Sequence, residues 1–221
     1  ENFPEEEFKK IGFKYQYNRG EKSYNGVSIL SKLEFTDCKY IDWCKKNDTR
    51  HVSVTLPSNI EIHNFYIPAG GDEPDILKNP KFDHKITFLN EMHKYFLKHI
   101  DTSKILVGDL NIAPEEKDVW DHKKLLKVVS HTPIEVEYLR SLANSGPWID
   151  IIRKKNPDEK LFSWWSYRAR DWIQSDRGRR LDHIWLTADL VGQCKRCYIL
   201  REVRGWNSPS DHVPVVAELV L

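Results

Sequence analysis

Apolar runs in this chain are mostly of strand length, and only one stretch sustains helical spacing. That stretch is residues 84–99, where Ile86, Leu89, Met92, Phe96 and Leu97 return to one face, with Asp83 placed to cap it. Around it, segments 24–31, 51–56, 60–67, 104–107, 161–167, 181–186, 197–204 and 213–219 read as strands, rich in β-branched or aromatic residues. Asn25-Gly26 supplies one turn, and Pro57-Ser58-Asn59 joins 51–56 to 60–67 as a hairpin. Pro114 and Pro133 suit opening helical turns in the stretch that runs to residue 143. Few helices spaced between many strands predict a layered α/β sandwich rather than a helical bundle. With 221 residues, 40% of them hydrophobic, and no internal repeat or linker, a single domain over residues 1–221 is expected.

Charge narrows the partners. Charged residues make up 30% of the chain yet cancel to +1, so attraction to a polyanion must be local. One local excess exists: Arg168, Arg170, Arg177, Arg179 and Arg180 face only Asp171 and Asp176 in the same segment. Cys194 and Cys197 have the spacing of half a zinc site, but no second ligand pair lies nearby and ordinary thiols are expected. Four cysteines make no disulfide framework, and no apolar stretch reaches the ~20 residues of a membrane helix, so a cytoplasmic, soluble protein is expected.

Three polar knots interrupt apolar runs. Gly108-Asp109-Leu110-Asn111 follows Ile105-Leu106-Val107, and on an extended segment Asp109 and Asn111 point the same way because side chains alternate. A carboxylate beside a carboxamide can bind a proton or metal while the amide donates to an oxyanion. Arg180-Leu181-Asp182-His183 precedes Ile184-Trp185-Leu186, and Ser210-Asp211-His212 precedes the run 213–219.

These knots, in order with Tyr24-Asn25-Gly26-Val27 and Asn64-Phe65-Tyr66-Ile67-Pro68, resemble the exonuclease III family of abasic-site endonucleases across nearly the whole chain. The aromatic segment Phe162-Ser163-Trp164-Trp165-Ser166-Tyr167 resembles the family's wall for an extrahelical, base-less sugar. The resemblance implies a four-layered α/β sandwich, two packed and mainly antiparallel β-sheets flanked by helices. Two departures stand out. The family's opening strands, with Trp-Asn and the metal glutamate of Gln-Glu-Thr-Lys, are not found, so a chain lacking those first strands is expected. Ala69 stands where relatives often carry an amide.

By resemblance the chain is a metal-dependent DNA repair nuclease. It would hydrolyse the phosphodiester 5′ to abasic sites and remove nucleotides or blocking groups from 3′ ends of duplex DNA, acting as a monomer. Asp109 would orient or deprotonate the attacking water, with Asn111 beside it, and His212 would face the scissile phosphate with its tautomer fixed by Asp182. Tyr66 would approach the same phosphate. Asp109, Asn111 and Asp211 are the expected ligands of Mg2+, with Mn2+ as the alternative, since oxygen donors suit hard cations. Tyr24, Trp164, Arg168 and Arg170 are the expected DNA contacts, Trp164 as the flat wall of the sugar pocket. Two other readings stay open: a superfamily phosphatase or phosphodiesterase acting on lipids or small molecules, and a catalytically impaired DNA-binding fragment.

Overall fold

A computed structural model describes residues 3–169 and 171–221. Its strands are β1 Tyr15–Gly20, β2 Gly26–Ser31, β3 Asp37–Lys39, β4 His51–Thr55, β5 Glu61–Tyr66, β6 Lys104–Asp109 and β7 Trp148–Asp150. They continue with β8 Trp164–Trp165, β9 Gly178–Arg179, β10 Asp182–Thr187, β11 Cys194–Ile199 and β12 Val215–Leu219. The α-helices are α1 Glu5–Lys10, α2 Pro80–Phe96, α3 His122–Leu125, α4 Pro133–Ala143, α5 Ile151–Lys155 and α6 Trp172–Ser175.

The centre is a six-stranded sheet in the order β3-β4-β5-β6-β10-β7, antiparallel throughout except for the parallel pair β5 and β6. Parallel neighbours need a crossover, and α2 is the helix within it. Asn79 caps α2 by accepting the Lys81 amide, and Pro80 sits at the first helical position, where its missing N–H costs nothing. The cap is therefore Asn79 and not Asp83, and the helix starts four residues earlier than its apolar stripe indicates. α4 opens on a capping box in which Thr132 and Glu135 satisfy each other's backbone amides.

Each face of the sheet has its own core. Phe65, Ile67, Leu106, Leu110 and Trp185 pack against Phe82, Phe88, Leu89 and Met92 of α2 and Leu139 and Leu142 of α4. Phe88 is fully buried there, and truncating such a side chain to alanine costs about 3–5 kcal/mol. On the opposite face, Ile62, Ile105, Val107, Ile184 and Leu186 pack against Ile199, Val215, Ala217 and Leu219 of the antiparallel ribbon β11-β12. A second ribbon, β1-β2, lies against β4 and β5 on that face, where the Asn64 amide donates to the Ser28 carbonyl at 2.9 Å.

The α/β class, the β4-β5 hairpin and the strand leading into Asp109 match the sequence reading. Two segments differ. Segment 161–167 is strand only at Trp164–Trp165. Segment 197–204 gives β11, beginning at Cys194, followed by a 3-10 turn over Arg201–Gly205. Among the described residues no helix is long and apolar enough to cross a membrane.

Candidate active site

Register across three neighbouring strands builds the site. Tyr66 at the end of β5 pairs with Asp109 at the end of β6, and Asp109 pairs with Asp182 at the start of β10. Alternation puts this row on the ribbon-facing side of the sheet, in line with Val107 and Ile184. Gly108 makes the row reachable. Its φ is +129°, and a Cβ there would fall 1.9 Å from the Phe65 carbonyl oxygen, so only glycine lets β6 run this close to β5.

Asp109 and Asn111 do meet, but not by strand alternation. The strand ends at Asp109, and Asn111 adopts a left-handed φ of 53°, a conformation asparagine tolerates better than most residues. Its side-chain NH2 then donates to Asp109 Oδ2 at 3.0 Å and to the Ile67 carbonyl at 2.9 Å. Both partners are acceptors, so the amide orientation is forced and Oδ1 is the atom free to meet a ligand.

His212 arrives from the far end of the chain. An isolated bridge pairs it with Trp164, and its Nδ1–H donates to Asp182 Oδ2 at 2.8 Å, which leaves Nε2 3.9 Å from Asp109 Oδ2. Burial alone would discharge this imidazole. The Asp182 hydrogen bond and the charges of Asp182, Asp109 and Asp211 outweigh it and raise the pKa to about 9. Burial, then the Asp182 carboxylate, pushes Asp109 up to about 7. Burial, then Asp109, raises the Tyr66 hydroxyl, which therefore stays protonated as a donor.

The ligand atoms of Asp109, Asp182 and His212 all lie within 4.8 Å of one another. Two carboxylates and the free Oδ1 of Asn111 form an oxygen-rich donor set that fits a hard divalent cation. Asp211, also an expected ligand, is not one of these three, and its Oδ2 accepts the indole N–H of Trp164 at 2.9 Å.

Two hollows flank the row and share Ala69 and Gly71. One, of about 500 Å³, is lined by Asn111, His212, Trp164, Arg168, Arg179 and Ser130. The other, of about 270 Å³, is lined by Tyr24, Arg50, Tyr66, Lys81 and His84. Tyr24 is exposed, and its hydroxyl accepts a hydrogen bond from Arg50 at 3.3 Å. Arg168 is exposed at the edge of the larger hollow, and Arg170 lies outside the described residues. Trp165 is core, whereas Trp206 is 65% exposed.

Several supporting residues escaped the sequence reading. The Ser163 hydroxyl donates to Asp182 Oδ2 at 2.7 Å and accepts the Leu181 and Asp182 amides. Lys85, fully buried and paired with Glu135, donates to the backbone carbonyls of Asn111 at 2.8 Å and Ala69 at 3.2 Å. Glu135 in turn accepts the amides of Ser130 and Thr132 and the Thr132 hydroxyl. Arg180 pairs with Asp118 and Asp150 rather than with Asp182, and His183 donates Nε2–H to the Ile112 carbonyl at 2.8 Å. For Lys85 a signal existed, since it falls on the core-facing stripe of α2 between Phe82 and Ile86.

Comparison with known proteins follows the same lines. A sequence profile described as the endonuclease/exonuclease/phosphatase family matches residues 2–212. Exodeoxyribonuclease III of Haemophilus influenzae is 28% identical over 99% of this chain and 85% of its own length. Among solved structures, an AP endonuclease from Archaeoglobus fulgidus superposes with a TM-score of 0.91 at 30% identity, covering 99% of this chain and 84% of that one. The 3′ phosphatase NExo from Neisseria, bound to a product DNA hairpin, superposes with a TM-score of 0.89 at 26% identity, covering 99% of this chain and 84% of that one.

Proposed function

This chain belongs to the endonuclease/exonuclease/phosphatase family, in its exonuclease III and AP endonuclease branch, and we propose that it is a DNA repair nuclease. On this reading it hydrolyses the phosphodiester 5′ to abasic sites in duplex DNA and trims nucleotides or blocking groups from 3′ ends. The observation that carries the reading is the in-register row Tyr66, Asp109 and Asp182, completed by His212 on Asp182. The two ribbons on one face of the central sheet are, on the same reading, parts of the second sheet of a four-layered sandwich.

Cleavage needs a water aimed at phosphorus, neutralisation of charge on the phosphate oxygens and a proton for the departing 3′ oxygen. Asp109 is the carboxylate that orients the attacking water and takes its proton. Asn111 holds that carboxylate in place. His212, charged at neutral pH, presents Nε2–H to a phosphate oxygen, and Asp182 keeps the ring oriented and stabilises its charge. The Tyr66 hydroxyl donates from the next strand. Mg2+ would be held by Asp109, Asp182 and Asn111 Oδ1 and would supply charge neutralisation on the phosphate oxygens. Trp164 and Arg168 wall the 3′ side, while Tyr24 and Arg50 border the neighbouring hollow where a strand phosphate would rest.

The test is cleavage of an end-labelled duplex carrying one abasic site, with Mg2+ and with chelator, by wild type and His212→Ala. Mg2+-dependent incision lost in the variant supports the reading. Turnover of a lipid or small-molecule phosphate without DNA cleavage would replace it.

A further inference from the structure

Arg179 occupies an unusual electrostatic position. It lies on β9 in the larger hollow, in the same wall as Trp164 and facing the side of the site that bears His212 and Asn111. Its guanidinium sits 5.3 Å from the centre of the Trp164 ring, close enough for a cation–π contact that holds it against the wall. Nη1 donates to the Val129 carbonyl at 3.1 Å and the Ser130 hydroxyl at 2.8 Å, both neutral acceptors. Nε is buried and has no partner, and among the described residues no carboxylate forms an ion pair with this side chain. Glu135, whose negative charge acts on Arg179, is already paired with Lys85. A largely buried cation without a counter-ion is unfavourable, and such a charge is normally met by a partner or a ligand.

The hollow's two candidate occupants differ in charge at one atom. In a diester beside an abasic site, the bridging oxygen on the 3′ side of the phosphorus leads into a neutral sugar. In a terminal 3′-phosphate that oxygen is unsubstituted and anionic. For a phosphorus placed between Asp109 and His212, the hollow walled by Trp164 and Arg179 is the space open to this extra oxygen. A neutral sugar leaves the guanidinium without a counter-charge, and a dianionic phosphate supplies one.

We infer that Arg179 is a specificity residue that binds the terminal 3′-phosphate of a blocked DNA end and favours its removal over incision beside an abasic sugar. The inference rests on the phosphohydrolase reading above and names the substrate for which that site is best matched. The step is a hydrolysis: a water oxygen bonds to phosphorus, the bond from phosphorus to the 3′ oxygen breaks, and the electron pair leaves with that oxygen. One proton of the water ends on the 3′ hydroxyl and the other on the released inorganic phosphate, so no further reactant is needed.

Two duplexes test it, one with a 3′-phosphate at a nick and one with an abasic site in the same sequence. The readout is the ratio of their kcat/KM values for wild type, Arg179→Met and Arg179→Lys. Charged hydrogen bonds of this kind correspond to roughly 10- to 100-fold, so Met should lower the ratio of 3′-phosphate removal to abasic-site incision by that factor. Lys, which keeps the charge, should retain most of the ratio, and this arm stays informative if Met disturbs the fold around Ser130. Arg168→Met, at the exposed edge, should move both activities together. An unchanged ratio in Met, or a Lys variant as impaired in ratio as Met, overturns the inference while leaving the nuclease assignment intact. Turnover of neither duplex by wild type overturns the nuclease assignment itself, and this inference with it.

Discussion

Lys85→Met removes a cation that ties the floor of the site together. The ammonium is fully buried against Glu135 and bonds the carbonyls of Asn111 and Ala69, so its loss strands a buried carboxylate and two carbonyl oxygens. Breaking a buried pair from one side costs about 3–5 kcal/mol. Glu135 keeps donors from Ser130 and Thr132, which holds the loss within that range rather than above it. At about 2–4 °C per kcal/mol for a chain of this size, the melting temperature should fall by about 6–20 °C. Asn111 loses the contact that braces its left-handed turn, and a displacement of order 1 Å at a reacting group costs about 100-fold in rate. Urea unfolding at constant m-value gives the stability, and single-turnover cleavage gives the rate. Adding Glu135→Gln removes the stranded charge, so the double variant should be less destabilised than the two single variants summed. A Lys85→Met protein within 1 kcal/mol of wild type, or strict additivity in the double variant, would refute the bracing role.

Further outcomes follow from other contacts. Ser163→Ala leaves Asp182 with one donor fewer and two amides unsatisfied, which should cost about 1–3 kcal/mol in urea unfolding and about 10- to 100-fold in rate. Mg2+ at a hundred times its Kd should stabilise wild type by about 2.7 kcal/mol, or about 5–11 °C in melting temperature. Asp109→Asn and Asp182→Asn should lose that shift, and a full shift in either would move the cation elsewhere. On the helix-facing side of β4 and β5, His51 accepts the Ile41 amide on Nδ1 and bonds His63 at 3.0 Å, so both rings are held neutral and burial lowers both pKa values. The unfolded chain then binds protons that the folded one refuses: the stability is complete above about pH 6.5 and falls with acidification at up to about 1.4 kcal/mol per pH unit for each ring. A urea midpoint that stays flat from pH 7 to pH 5.5 would contradict this.

Much of the fold could be read from local pattern, and the remainder was settled by partners distant in sequence. The run ending in Gly108-Asp109 announced its strand because a buried strand and a polar terminus are both local features. The strand expected over 161–167 shrank to Trp164–Trp165 because its partner β9, distant in sequence, offers only Gly178–Arg179 for pairing. The α2 cap was misplaced by following the apolar stripe, although Asn79-Pro80 was the stronger opening signal. Asp109, Asn111, Asp182 and His212 were each singled out by their flanking motifs. Lys85 lay on the core-facing stripe of α2, but nothing short-range says that its partner is Glu135, fifty residues away.

The division of labour between the central ladder and the small β8-β9 ribbon has an evolutionary consequence. Tyr66, Asp109 and Asp182 are indexed by the hydrogen-bond register of the central sheet and cannot drift independently. Trp164 and Arg179 face each other across a ribbon only two residue pairs long, flanked by loop. A lineage can therefore exchange one DNA lesion for another by rewriting a handful of codons in that ribbon, while the hydrolytic apparatus is inherited unchanged.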